Sequence, residues 1–257
     1  SLKVLDIKGE IITTPYTFVA TTHSILWNNN RPVFVDIDPD IFNLDPNKIE
    51  EAITPNTTAI MPVHVYGNPC AVEEIDRIAK KHNLKVIYDA CHAFGVKIGD
   101  NSVLNYGNLS VLSFHATKIF NTFEGGAVVC HDEEMKKKLD NFKNFGIRPE
   151  ITKETFVDSL GLNAKMSEIH AVMGLLQLKY IDKNIAKRKE IFSWYREGLK
   201  DVNGIKFLED IPGIEHNYSY FSILVDNKEY GENRDDVFEK LSKHNIFGRP
   251  YFSPLIN

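Results

Sequence analysis

The first two-thirds of the chain alternate short β-branched runs with helical patterns, which predicts strands and crossover helices around a mainly parallel sheet. Residues 10–14 (EIITT) form the first strand, halted by Pro15, and a helix carrying Phe18, Ala20, Ile25 and Trp27 comes next. Residues 32–36 read as a second strand. Asp45 before Pro46 is an N-cap followed by a proline at the first helical position, so a short helix opens there and stops before Pro55. Residues 58–63 read as a buried strand. Val72, Ile75, Ile78 and Ala79 then repeat at helical spacing. Residues 84–88 form another strand that ends abruptly in Asp89, and two more lie at 109–113 and 126–130. Between these two lies a polar turn, His115-Ala116-Thr117-Lys118. Residues 132–145 predict a surface helix, and 164–199 a helical stretch broken near Ile181-Asp182. A strand at 221–225 and a helix at 235–244 predict a smaller α+β unit. The expected division is a large domain over 1–180 and a linking helix with part of a smaller domain over 181–257. Residue 1 opens as if inside a helix, with Leu2, Val4 and Leu5 as its apolar positions, and residues 253–257 bring no closing element. The sequence therefore reads as part of a longer one.

Composition narrows the function. The 257 residues are 43% hydrophobic and 25% charged, the proportions of an ordinary globular protein. Thirty basic against thirty-five acidic residues give a net charge of -5, without the basic excess of a nucleic-acid binder. No apolar run approaches a membrane span, and the opening residues do not read as a signal peptide. Cys70, Cys91 and Cys130 are odd in number and lack C-x-x-C spacing, which argues against a disulfide framework or structural zinc and for a reducing, cytoplasmic compartment.

Three residues carry candidate chemistry. Asp89 sits at the carboxyl end of an apolar strand, where open α/β sheets present ligand-binding groups. A helix N-cap is the plain alternative for it. His92 falls in the same turn, although a lone histidine is more often structural. Lys118 lies in a turn between two apolar strands; an amine partly buried there has a lowered pKa and attacks carbonyls to form a Schiff base. Ser113 ends the preceding strand with a hydroxyl donor, and Gly125-Gly126 permits close backbone approach to a ligand. A lysine, an acid and a hydroxyl donor together match the needs of pyridoxal phosphate: a Schiff-base partner, a group that keeps the pyridine nitrogen protonated, and a phosphate donor.

The runs Tyr88-Asp89-Ala90-Cys91-His92-Ala93-Phe94-Gly95 and Ser113-Phe114-His115-Ala116-Thr117-Lys118 resemble the DegT/DnrJ/EryC1/StrS family of sugar aminotransferases. Pro15-Tyr16-Thr17-Phe18-Val19-Ala20-Thr21, Val33-Phe34-Val35-Asp36-Ile37 and Leu162-Asn163-Ala164-Lys165-Met166-Ser167-Glu168 match further blocks in order. The resemblance covers nearly the whole chain. It implies a fold-type-I, pyridoxal-phosphate-dependent transferase: a homodimer with shared active sites, moving an amino group from glutamate to a keto sugar on a nucleotide diphosphate. By the same resemblance Lys118 is the Schiff-base lysine and the base that moves the proton, and Asp89 pairs with the pyridine nitrogen. His92 takes the place where many members have a glutamine near the ring hydroxyl, Ser113 binds the phosphate, Phe18 stacks on the ring, and Asn163 reaches the phosphate of the partner subunit's cofactor. The wording of the blocks around 13–24 and 64–70 points to a dTDP-linked 4-keto-6-deoxyhexose and surface polysaccharide synthesis.

The sequence departs from the family pattern at several places. The phosphate-binding Gly-Thr turn expected upstream of the first residues is absent from the sequence, and Lys165-Met166 replaces an Arg-Met pair. Phe247-Gly248-Arg249-Pro250-Tyr251-Phe252 matches the start of a late motif whose sugar-site residues do not come after it. One relative class has histidine for the lysine and deoxygenates instead. Lys118 argues against that dehydratase chemistry, with His115 nearby making the register decisive. A non-catalytic or regulatory relative is opposed by the intact Lys118 and Asp89. A Rossmann oxidoreductase lacks its G-x-G-x-x-G, and a metal site on His64, Cys91, His92 and His115 lacks known spacing. Other fold-type-I enzymes, such as desulfurases and aldolases, share the Asp and Lys logic but not the SFHATK block. His64-Val65-Tyr66-Gly67 is a candidate lining of the sugar pocket, and Trp27, Phe34, Tyr66 and Phe142 are assigned to core or interface.

Overall fold

Period-two alternation divides the strand side chains between two faces, and the computed structural model, which describes residues 1–148, 156–157, 159–253 and 255–256, obeys it closely. In chain order the strands are β1 (Glu10–Thr13), β2 (Arg31–Phe34), β3 (Thr57–Ile60), β4 (Lys85–Asp89), β5 (Lys97–Ile98), β6 (Asn101–Ser102), β7 (Leu109–Ser113), β8 (Gly126–Val129), β9 (Ile147–Arg148), β10 (Phe156–Val157), β11 (Ile205–Phe207), β12 (Ile214–Glu215) and β13 (Ile223–Val225). The α-helices are α1 (Val19–Trp27), α2 (Val72–His82), α3 (Glu133–Phe142), α4 (Glu168–Leu178), α5 (Ile181–Leu199), α6 (Asn227–Tyr230) and α7 (Arg234–Lys243).

Six strands form the central sheet in the order β2-β1-β3-β4-β7-β8. Its first five members run parallel, and β8 closes the edge antiparallel to β7. Ile12, Ile60, Val86 and Tyr88 point to one face and pack with Val72, Ile75, Ile78 and Ala79 of α2. Their neighbours Ile11, Ala59, Ile87 and Leu109 point to the other, with Ile25 of α1 and Met135 and Leu139 of α3. Both faces are covered, so the inner strands are apolar on both sides. The chain steps from β1 outward to β2 and then back past β1 to β3. Crevices at the carboxyl ends of strands beside such a reversal are where open α/β sheets bind ligands. The C-terminal part returns to this layer: β12 pairs with β5, and the Gly99 amide donates to the Gly213 carbonyl.

Several expected elements are altered by local hydrogen bonding. Residues 1–7 close a single turn rather than a helix: Ile7 N–H donates to Leu2 O, Asp6 N–H to Lys3 O, and Asp6 has φ 51°. That pattern is a helix-ending motif, and Leu2 and Ile7 share one apolar cluster as it requires. Asp45 caps as expected, accepting from the Asn47 amide, but it opens two 3₁₀ turns, Pro46–Lys48 and Glu50–Ala52, in place of an α-helix. The helix expected from 164 starts at Glu168, because residue 163 is bridged to Asn144 and Ser167 supplies the cap by accepting from His170 N–H. The last strand starts at Ile223 rather than 221. Trp27, assigned to core or interface, is not core: it is 88% exposed at the end of α1. Pro254 and Asn257, in the stretch expected to bring no closing element, lie outside the described residues.

Candidate active site

Four parallel strands deliver the candidate residues to one edge of the sheet. The loop after β1 leads into α1 with Thr17, Phe18 and Thr21; the loop after β3 carries residues 64–68; β4 ends in Asp89; β7 ends in Ser113 and leads to Lys118.

Asp89 caps a tight turn rather than a helix. Its Oδ1 accepts from the Cys91 amide at 3.1 Å, and no helix comes directly after it. Its Oδ2 accepts from Thr21 Oγ1 at 2.7 Å, and Thr21 is linked in turn to Thr17 Oγ1 at 2.9 Å. His92 is buried in the same turn, with Nδ1 accepting from the Tyr66 amide at 3.1 Å. An acceptor Nδ1 places the ring proton on Nε2. Burial, reinforced by the Lys118 charge, pushes the His92 pKa down and keeps the ring neutral.

Lys118 is half-buried, with its amine 3.4 Å from the Tyr220 hydroxyl. Among the described residues it makes no salt bridge. Burial lowers its pKa, Cys91 and Asp89 oppose this, and Arg249 adds to the lowering. His115 instead lies exposed, with Nδ1 on Thr117 Oγ1 at 2.9 Å and Nε2 3.8 Å from Glu124. Of the two, Lys118 is the half-buried one, and its amine feels the charges of Asp89 and Cys91.

Ser113 Oγ accepts from the His115 amide at 3.3 Å, which leaves its O–H to donate elsewhere. Phe18 stands at the N-cap of α1, 61% exposed. Asn163 is separate from this group within its own chain: its Oδ1 accepts from Lys165 Nζ at 2.7 Å, and its backbone bridges Asn144. The Gly125-Gly126 pair is spent on the protein itself. A Cβ on Gly126 would stand 2.7 Å from the Leu112 carbonyl, and one on Gly125, at φ 147°, 2.6 Å from Thr122 Oγ1. No cluster of three or more metal-ligating side chains occurs among the described residues. Cys70 is buried and bonded to the Val63 carbonyl, as a small core residue.

Sequence reasoning missed three contributors. Tyr220 comes from 102 residues away to meet Lys118, and its ring lies 4.5 Å from that of His92. Asn217 is fully buried and donates to the carbonyls of His92 and Phe94 at 2.8 and 2.9 Å. Gly67, at φ 94°, lets this strut close: a Cβ there would meet Asn217 Oδ1 at 2.9 Å. The third is Thr21, which lies within a matching block but carries no role there. Of the 64–67 loop, His64 is wholly buried with its ring stacked on Tyr88, whereas Tyr66 joins Tyr16, Phe42 and Phe252 in an aromatic wall. On the other flank of Lys118 a cleft of about 650 Å³ opens, bordered by Lys187, Arg188, Tyr195 and Phe221.

The sheet, covered on both faces, with Asp89 ending β4 and Lys118 following the neighbouring β7, has the fold-type-I architecture of its structural neighbours, which are aminotransferases. The chain belongs to the DegT/DnrJ/EryC1/StrS aminotransferase family, which matches residues 1–257. It is 54% identical over 256 residues to the dTDP-4-amino-4,6-dideoxy-D-glucose transaminase of Shigella dysenteriae, covering 100% of this chain and 68% of that protein. The crystal structure of DesI with its TDP-sugar product is 37% identical and superposes with a TM-score of 0.91, over 98% of this chain and 64% of DesI. The PLP-form of the putative sugar aminotransferase Spr1654 from Streptococcus pneumoniae is 26% identical, with a TM-score of 0.91 over 99% of this chain and 70% of that one. The chain thus spans about two-thirds of these relatives, and the family and that PLP-form imply pyridoxal phosphate as the cofactor.

Proposed function

We propose that the protein transfers an amino group from glutamate to a dTDP-linked 4-keto-6-deoxyhexose, for surface polysaccharide synthesis in the cytoplasm, as a homodimer with pyridoxal phosphate. The carrying observation is the half-buried Lys118 amine, 3.4 Å from the Tyr220 hydroxyl and without a salt-bridged carboxylate among the described residues, in the turn after β7, the strand paired with the one that ends in Asp89. The donor set fits the cofactor. Asp89 has one donor on each oxygen, so a lone pair is left on each for a ring N–H. Ser113 has an unspent O–H for a phosphate, and exposed Phe18 has a free face for a ring.

Bound there, pyridoxal phosphate supplies an electron sink for the charge left when a carbon bearing nitrogen loses its proton. Asp89 holds the proton on the ring nitrogen. Lys118, its pKa lowered by burial, would hold the cofactor through its aldehyde carbon with loss of water and, once an incoming amine has displaced it, would move the proton to and from the substrate carbon. Neutral His92 lines the wall beside Tyr220. Asn163 reaches across to the partner subunit's site, and the outward apolar face of α4 supports the pairing of two copies. The Shigella relative's name supports the dTDP sugar, and the cations Lys187 and Arg188 beside the cleft suit a diphosphate. We place the division between the large and smaller domains at residues 180 and 181, where α5 begins.

The test is borohydride reduction of the protein saturated with pyridoxal phosphate, followed by peptide mapping. The expected result is a stable adduct on Lys118; a folded, saturated protein with Lys118 unmodified contradicts the assignment.

A further inference from the structure

Asp89 is held from two elements at once. The Cys91 amide grips Oδ1 locally, within the turn after β4. Thr21 grips Oδ2 from α1, across 68 residues of sequence, and Thr17 is joined to Thr21 by hydroxyl contact. Both threonines are almost fully buried, at 3% exposure for Thr17 and 4% for Thr21. Their direction is set by chemistry. An ionised carboxylate only accepts, so Thr21 donates to Asp89 and its lone pair accepts from Thr17. Each carboxylate oxygen then has one fixed donor, and the plane of the group cannot rotate without breaking a bond. The core does not need a hydroxyl at this point on α1: Ile25, one turn on, is apolar and wholly buried.

Resting on the cofactor site proposed for Lys118 and Asp89, we propose that Thr21 is the positioning residue of Asp89, and that Thr17 and Thr21 form a two-hydroxyl relay fixing the carboxylate plane that receives the cofactor's ring nitrogen. Thr21 touches neither substrate nor cofactor; it acts through Asp89.

The experiment titrates the cofactor-free forms of the wild-type chain and of Thr21→Val, Thr21→Ser and Thr17→Val with pyridoxal phosphate, monitored by visible absorbance. Melting curves check folding. A hydrogen bond to a charged group is worth roughly tenfold or more in affinity, so Thr21→Val should bind about tenfold more weakly. Thr21→Ser, which keeps the hydroxyl, should stay within about threefold of wild type, and Thr17→Val should fall between. Turnover should drop in Thr21→Val while the KM for the keto sugar is unchanged. Wild-type affinity in Thr21→Val overturns the proposal, and so does a serine variant as weak as the valine one, because the methyl group would then be what matters. If Thr21→Val does not fold, Thr17→Val decides: weaker binding supports the relay and unchanged binding overturns it. Asp89→Asn separates the two levels. Should it bind cofactor and transfer amino groups as well as wild type, the proposed cofactor site fails; an impaired Asp89→Asn beside a normal Thr21→Val sinks only the relay.

Discussion

Lys118 sits where burial and charge pull its amine in opposite directions. Desolvation and the Arg249 guanidinium favour the neutral form; Cys91 and Asp89 favour the charged one. The net lowering means that the neutral, nucleophilic fraction rises at lower pH than for an exposed lysine. Removing Arg249 removes a like charge, so Arg249→Gln should raise the pKa and move the half-rise of aldehyde capture by the cofactor-free protein to higher pH. A half-rise that stays in place or moves down contradicts this balance. Asp89 stands out in the sequence as a polar residue ending an apolar strand, and Lys118 as an amine in a turn between two apolar strands. The Tyr220, Asn217 and Thr21 contacts are not legible there, because each joins residues more than 60 positions apart.

At the scale of elements, the turn bearing His92 is pinned by a strut from the C-terminal part. Asn217 satisfies two carbonyls of that turn, and Gly67 admits it by leaving out a Cβ. Asn217→Ala leaves buried carbonyls without donors, which costs about 2–3 kcal/mol in urea unfolding; a loss below about 0.5 kcal/mol would show that the strut is dispensable. Strand positions and most helices were readable from periodicity, since both faces of the sheet are filled by alternating residues. Periodicity failed where side chains or caps cut a helix short, as at Ser167 and after Asp45. It also gave no hint that α4 buries only Gly174 and turns Ile169, Val172, Leu175 and Leu178 outwards. An apolar pattern marks a face without saying what covers it.

For the whole molecule, that outward face predicts assembly. In sedimentation the protein should run as a dimer, and Leu175→Asp should shift it towards monomer with a native circular dichroism spectrum; an unaltered dimer would place the interface elsewhere. Acid sensitivity is also a global property. Burial pushes His64 down to about 3 and His216 to about 4, and His92 in the same direction. Below about 6.5 the unfolded chain takes up protons on these rings that the folded chain refuses. Their contribution is therefore complete above that pH and is lost as pH falls towards 4 and 3. The urea midpoint should drop between pH 7 and pH 4.5, and a flat profile would contradict the neutral, buried state of these rings.

If Lys118 and Asp89 carry amino transfer to a nucleotide-linked keto sugar, nitrogen from glutamate must reach that sugar. The most direct measurement supplies nitrogen-labelled glutamate and dTDP-4-keto-6-deoxyglucose to the protein with pyridoxal phosphate, and traces the label into the sugar by mass spectrometry. A labelled amino sugar is expected with the wild-type protein and none with a folded Lys118→Ala variant. Label transfer that survives in Lys118→Ala, or a saturated wild-type protein that moves no label to the dTDP-linked keto sugar, would contradict this assignment.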